Sequence, residues 1–372
     1  MMKLPESNEL NTGYLARVFD NKSECYKLFW FKSIVVTVFN KRITKISYEE
    51  LIDLMIADAW YMVTEYHLNL GPNDTLEKLI KLIKVKYPEF KSSEKEDVIL
   101  GLLRTTKDQE IKTYKRVLTY NVPYRFQAPF LNMKEREWKL PPKERAERIN
   151  QEERLLYYFS AINGMNSDII IDDVWADYIV RNYEIILGWI EFNMIKYLQR
   201  RNPSVPGIAD KLYPPKERDL KSVIKYWKLI LSIEPIKEIY DHQQLAKNDI
   251  SIDHFVPWSY VAHDEFWNLS PTTQKINSSK SNNLPDWDRY FVELSRIEYQ
   301  SYRLMWMYEG VHKEFDKCAK EHMNNDEIRR RLFREGLDYN EFSHELESIV
   351  LPVYNSARVC GFNKWVYEKK ID

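Results

Sequence analysis

Between Ser251 and Pro285 the chain reads SIDHFVPWSYVAHDEFWNLSPTTQKINSSKSNNLP. It holds an adjacent Asp253-His254 pair, then Asn268 between Trp267 and Leu269, then Asn277, Lys280 and Asn283. These residue types suit the cutting of a phosphodiester, which needs an activated water, neutralised charge on the phosphate and help for the leaving oxygen. His254 can take a proton from water near neutral pH, because an imidazole titrates there without special tuning. Asp253 offers an anionic oxygen and Asn277 a neutral amide oxygen, a hard pair that suits Mg²⁺ or Mn²⁺ rather than zinc. Asn277 and Lys280 stand at i and i+3, so on a helix both face one way, the first to a metal and the second to a phosphate. His263-Asp264 reads as an exposed loop pair, with a supplement to this set as the alternative. His67, His312, His322 and His344 have no partner legible in the sequence.

In combination these residues resemble an HNH nuclease of the ββα-metal (His-Me finger) family. Its pattern is a strand ending in Asp-His, a loop with Pro and Ser, a second strand carrying the middle Asn, and a helix carrying the last His or Asn. Here those places fall on Asp253-His254, Pro257 and Ser259, Asn268, and Asn277. The spacing, with a Lys-Ser-x-Asn-x-Pro tail from Lys280, is also similar to the HNH domain of RNA-guided CRISPR nucleases. The resemblance spans Ile236–Asp288 and implies roles. His254 would be the general base, Asp253 and Asn277 would hold one divalent ion, Asn268 would bridge the finger backbone and orient the site, and Lys280 would bind phosphate. The earlier pair Asp241-His242 is an internal control, since no Asn stands at the matching offsets after it. Two departures from the family are visible: no CxxC zinc ligands flank the finger, and the third motif position is Asn, which keeps that ligand oxygenic.

A finger of this size needs a scaffold, and the surrounding pattern is helical. Ser33–Asn40 alone fits a strand, but apolar residues at helical spacing favour a helix within residues 13–40. Ser47 to Glu50 reads as a capping box before LIDLMIADAWYMVTEY, and Gly71 to Asp74 as a turn before a basic amphipathic helix. Another helix is expected from Ser93 to Leu103. Four prolines between Tyr120 and Lys143 mark an extended connector or boundary, because proline removes a donor and resists interior helix. Helices are expected again over Lys143–Ser160, in one long element from Asp172 to Arg201, over Pro215–Ile233, over Asp286–Tyr308 and onward. From Lys196 to Lys228 nine Lys/Arg stand against three Asp/Glu. Arg200, Arg201, Lys211, Lys216 and Arg218 are the first candidates there for contacts to a nucleic-acid backbone.

Composition excludes several classes. Of 372 residues 44% are hydrophobic and 14% aromatic, enough to bury large cores, and the net charge of -1 rules out an indiscriminate polycation. Nine glycines, with neither GxGxxG nor GxxxxGK[ST], disfavour nucleotide-binding α/β folds. Three scattered cysteines make no zinc knuckle or disulfide framework and point to a reducing, cytoplasmic compartment. The start MMKLPESNEL lacks a signal-peptide pattern, and no apolar run is long enough for a membrane span.

The expected fold is mainly α: a helical scaffold with an embedded ββα-metal finger. The expected divisions are a helical N-terminal domain over 1–140, a helical connecting region with the basic window over 141–235, the nuclease finger over 236–290, and a C-terminal helical region over 291–372 packing on it. The expected function is a Mg²⁺-dependent endonuclease acting on DNA, with bacterial defence against foreign DNA as what the family suggests. The alternatives are RNA cleavage, or a catalytically silent nucleic-acid-binding or assembly module. DNA is the expected partner and a membrane is not; the helical regions could also receive a protein partner or a second copy.

Overall fold

The structure, a computed structural model, describes residues 4–20, 25–215 and 219–368. It is mainly helical, and it divides into two compact units, Met1–Asn202 with Leu212–Pro214, and Pro203–Lys211 with Pro215–Asp372. The boundary anticipated near residue 140 falls inside the first unit, and region 141–235 is shared between the two.

The first unit is built on the helices Tyr26–Lys41 and Tyr48–Thr64. The former buries residues all round, from Leu28 to Phe31 and again at Ile34, Val35 and Val38, which is why its aromatic and β-branched run stays helical rather than forming a strand. Ser47 caps the latter by accepting the Glu50 amide at 3.2 Å. The basic helix Thr75–Lys86 begins at Asp74, whose carboxylate accepts the Glu77 amide at 2.8 Å, and buries Leu76, Leu79, Ile80 and Ile83.

Three departures from the sequence pattern lie in this unit. The helix expected over Lys143–Ser160 runs only from Pro142 to Ile149, and Tyr157–Ala161 is a strand. That strand belongs to a three-stranded antiparallel sheet with Asp168–Ile171 in the middle and Lys45–Ser47 on the far side, pairing Tyr158 with Ile170 and Ile46 with Ile169. Side-chain amides extend the hydrogen bonding: Gln127 donates to the Tyr157 carbonyl at 2.9 Å and accepts its amide at 3.2 Å, and Asn150 does the same for Phe159. The proline-rich stretch is therefore no loose connector. It folds into the short turns Val122–Arg125, Ala128–Phe130 and Glu135–Trp138, and Gln127 inside it completes the strand. Lastly, the long helix is interrupted at Asn182, giving Asp173–Arg181 and Tyr183–Arg201.

The second unit wraps the motif in helices. Ser251–His254 pairs antiparallel with Leu269–Thr272, and Gln274–Lys280 follows as a short helix capped by Thr273. Helix Lys221–Ile233 lies behind this hairpin, with the Trp227 indole donating to the Leu269 carbonyl at 3.1 Å. Phe266, at the turn before the second strand, packs its ring on Phe315 and Phe333 from the C-terminal helices. Tyr354, on helix Tyr339–Val359, donates to the Pro285 carbonyl at 2.8 Å. After the finger helix, Leu284–Pro285 pairs in parallel with Lys364–Trp365. No described helix is long and apolar enough to cross a membrane.

Candidate active site

The hairpin register fixes the site. Asp253 stands opposite Ser270 and His254 opposite Leu269, at the end of the first strand. Strand alternation sends these two side chains to opposite faces, so they can take different tasks. Both are buried, at 3% and 5% exposure.

Asp253 is enclosed by donors. The Tyr240 hydroxyl donates to Oδ2 at 2.5 Å, and the Lys280 ammonium lies 3.0 Å from Oδ1. Burial and the neighbouring carboxylate push the Tyr240 phenol well above its usual pKa, which keeps it a donor. Lys280, itself 1% exposed, also donates to the His254 carbonyl at 2.6 Å. This departs from the expectation of a lysine held out to phosphate: here its charge is committed to Asp253 and to the backbone. Helical spacing does bring Asn277 and Lys280 to one side, toward the first strand. The Asn277 amide nitrogen donates to Ser251 Oγ at 2.8 Å and to the Ile252 carbonyl at 3.0 Å.

With its nitrogen so used, Asn277 has an amide oxygen that meets no hydrogen-bond donor among the described residues. Each Asp253 oxygen keeps a lone pair beyond the bond described, since a carboxylate offers about four acceptor positions. The donor set therefore fits a hard divalent cation held by one carboxylate and one amide oxygen, with water completing the shell. Among the described residues no group of three or more His, Cys, Asp or Glu stands together to hold an ion.

Asn268 is fully buried in a turn, Phe266–Asn268, just ahead of the second strand rather than within it. Its Oδ1 accepts the Val256 amide at 2.7 Å, its Nδ2 donates to the Val256 carbonyl at 2.9 Å, and its own carbonyl accepts from the Phe255 amide. Both ends of its side chain are spent on the loop that follows His254.

At Asp264 the less favoured sequence reading, a supplement to the site, is the one that fits the structure. Asp264 Oδ1 lies 2.7 Å from His254 Nε2, although an exposed loop pair was the favoured expectation for His263-Asp264. An acidic loop ten residues after the histidine was the only sequence signal, and loop length alone does not say that the chain folds back. His322, for which no partner was legible, places Nδ1 3.1 Å from the Asp264 carbonyl. Asp241-His242, the control pair, lies apart: His242 is exposed, with Nδ1 3.8 Å from Glu293.

Residues 237–286 match a family model described as HNH endonuclease. The chain carries an HNH endonuclease domain. No curated protein and no solved structure matches it. The matched segment holds Asp253, His254, Asp264, Asn268, Asn277 and Lys280, whereas Trp227, Phe315, His322 and Tyr354, which support the HNH domain, lie outside it. Such a domain implies nucleic acid as the partner.

The basic window does not act as one piece. Arg200 and Arg201 end the helix Tyr183–Arg201 in the first unit, Arg200 exposed and Arg201 donating to the Tyr197 hydroxyl at 3.2 Å. Lys211 belongs to the second unit and is 3% exposed. Its ammonium donates to the Ser259 carbonyl at 2.9 Å and the Val261 carbonyl at 3.0 Å, and burial lowers its pKa to about 8. It holds the loop after His254 from within and is not presented to a polyanion, contrary to expectation. Lys216 and Arg218 lie outside the described residues.

Proposed function

We propose that the protein is a divalent-metal-dependent endonuclease that hydrolyses phosphodiester bonds of DNA, with Mg²⁺ or Mn²⁺ as the ion. The observation that carries this reading is that Asp253 and His254 end one strand of the hairpin while Asn277 bonds the same strand at Ile252, with an acceptor set against the histidine.

In this reading Asp253 and Asn277 would hold the ion. When bound, it neutralises charge on the phosphate and on the leaving oxygen. His254 takes the proton of a water as that water's oxygen bonds to phosphorus; the P–O bond to the leaving oxygen breaks, and that oxygen takes a proton from solvent. Asn268 keeps the Phe255-Val256 backbone, and so the His254 ring, in place. Lys280 neutralises phosphate once its ammonium leaves Asp253. Arg200 and Arg201 pair with phosphates along the nucleic-acid backbone. A role in defence against foreign DNA and a cytoplasmic location rest on family resemblance and cysteine usage.

A second reading, a catalytically silent nucleic-acid-binding module, has one observation in its favour: Lys280 neutralises Asp253 inside the protein. Incubation with supercoiled DNA, linear DNA and RNA, with Mg²⁺ or with EDTA, separates the readings. Metal-dependent nicking of DNA supports the first. Cutting of RNA alone moves the substrate, and binding without cutting on any of the three leaves the silent module.

A further inference from the structure

Asp264 and its supports form a built arrangement around His254. The ring nitrogen Nε2 and the carboxylate Oδ1 are 2.7 Å apart, with side-chain exposures of 6% and 19%. The carboxylate is held by its backbone. His322, at the end of helix Glu309–His322, donates from Nδ1 to the Asp264 carbonyl, and Asn324 donates to Glu265 Oε1 at 3.1 Å. The Glu265 amide closes a turn on the His263 carbonyl, and the Asn268 amide closes another on the Glu265 carbonyl. Lys211 fastens the earlier part of the same loop at Ser259 and Val261. The loop is thus secured at both ends, partly by residues beyond the matched family segment.

We infer that Asp264 is a positioning residue for catalysis: it fixes the tautomer and orientation of His254, and His322 holds it in place to do so. An ionised carboxylate only accepts, so the nitrogen facing it must carry the hydrogen. In neutral His254 this puts the proton on Nε2 and the lone pair on Nδ1, the nitrogen that receives a proton from water. As that proton arrives, the imidazolium gains a neighbouring negative charge that was oriented beforehand, so little rearrangement is needed. Without Asp264 both tautomers become available, and only one of them places a lone pair on the reacting side. A wrong tautomer is costly: at the serine-protease triad, replacing the aspartate by its amide lowers turnover by about 10⁴ with geometry intact.

The kinetic half of this inference rests on the nuclease reading; the tautomer half does not. The test compares wild type with Asp264→Asn and Asp264→Ala in the full chain, using ¹⁵N-histidine labelling and His254→Ala to assign the resonance. Asn is isosteric and fills the same space, but its amide can donate to Nε2 and favour the opposite tautomer. We expect wild-type His254 to show the Nε2–H tautomer and both variants to lose it. We expect kcat for DNA cleavage to fall about 10²-fold in both, with KM within about twofold. An Asp264→Asn protein with unchanged tautomer, or with unchanged kcat, overturns the inference, and a fall in kcat without a tautomer change assigns Asp264 a different role and overturns it too. A wild type that cuts nothing while its tautomer responds as expected defeats the nuclease reading and leaves the positioning of His254 by Asp264 standing. His322→Ala, which alters neither member of the pair, is expected to shift the tautomer and kcat in the same direction by a smaller factor.

Discussion

The Lys280 ammonium lies 3.0 Å from the Asp253 carboxylate, and both side chains are almost fully enclosed. A lysine here satisfies a buried negative charge that would otherwise be costly, since removing one partner of such a pair costs about 3–5 kcal/mol. It also stands against the carboxylate that a metal ion would share, so the two positive charges would compete for it.

Lys280→Met is therefore expected to destabilise the second unit by about 3 kcal/mol in EDTA, the lower end of the range for breaking a buried pair. Millimolar Mg²⁺ should restore much of that loss, because the ion replaces the missing positive charge, and Mn²⁺ should bind more tightly than to wild type. Thermal unfolding with and without Mg²⁺, with Mn²⁺ titration followed by electron paramagnetic resonance, checks both. A variant whose stability ignores divalent ions would show that Asp253 does not bind them.

His254→Ala is expected to abolish cleavage while leaving folding and nucleic-acid affinity near wild type, because only the proton acceptor is lost. A positioned base contributes about 10²–10⁴-fold. Single-turnover cleavage and a binding titration on the same preparation separate the two effects, and cutting at a comparable rate would remove His254 from the mechanism.

Glu238 offers a pH signature. It is fully buried, accepting from the Thr272 hydroxyl at 2.6 Å and from the Tyr240 and Asp241 amides, and burial pushes its pKa up to about 7. The folded state thus holds a proton that the unfolded chain releases near pH 4.5, so this group's contribution is most favourable below that value. It declines as pH rises to about 7 and stays constant beyond. The full loss is about 3 kcal/mol. Glu238→Gln, whose amide oxygen can still accept from the Thr272 hydroxyl, should flatten this part of the profile, as urea unfolding at pH 5 and pH 8 would reveal. Equal slopes for variant and wild type would refute it.

Two kinds of basic residue predict two kinds of defect. Reversing Arg200 and Arg201 should weaken DNA binding and flatten its dependence on salt, by about 0.9 in log–log slope for each phosphate no longer neutralised. Lys211→Met should leave that slope alone and instead cost about 1–3 kcal/mol of stability, because two buried carbonyls lose their donor. Anisotropy titrations over a range of salt, beside chemical unfolding, tell these apart. An unchanged slope in the double reversal would make the end of that helix an ordinary solvated surface.

The legible features were local ones. Asp253, His254, Asn268 and Asn277 fall within one short stretch, and a strand, a turn and a helix need only neighbouring residues to form. Helical spacing likewise showed that Lys280 shares a side with Asn277. It did not show that the ammonium would find Asp253, because that depends on how the helix packs on the strand. For the same reason the contact of Asp264 with His254 and that of His322 with the Asp264 carbonyl were not legible, one set by a loop conformation and the other supplied by a helix far along the chain. The sheet of the first unit pairs Ile46 with Ile169, and no periodicity announces a partner that distant. Apolar residues near Tyr157 fit either a helix or a strand, and Asn150 and Gln127 decided for the strand by bonding its backbone.

The parallel pairing of Leu284–Pro285 with Lys364–Trp365 bears on the order of synthesis. A nascent chain that has passed residue 286 contains the whole motif, yet the strand that ties down the end of the finger has still to be made. So have Phe315, His322 and Tyr354, which hold the Phe266 turn, the Asp264 loop and the Pro285 carbonyl. Domains generally complete as units as the chain emerges. Ribosome-bound chains therefore carry an unfinished site until Trp365 has left the exit tunnel.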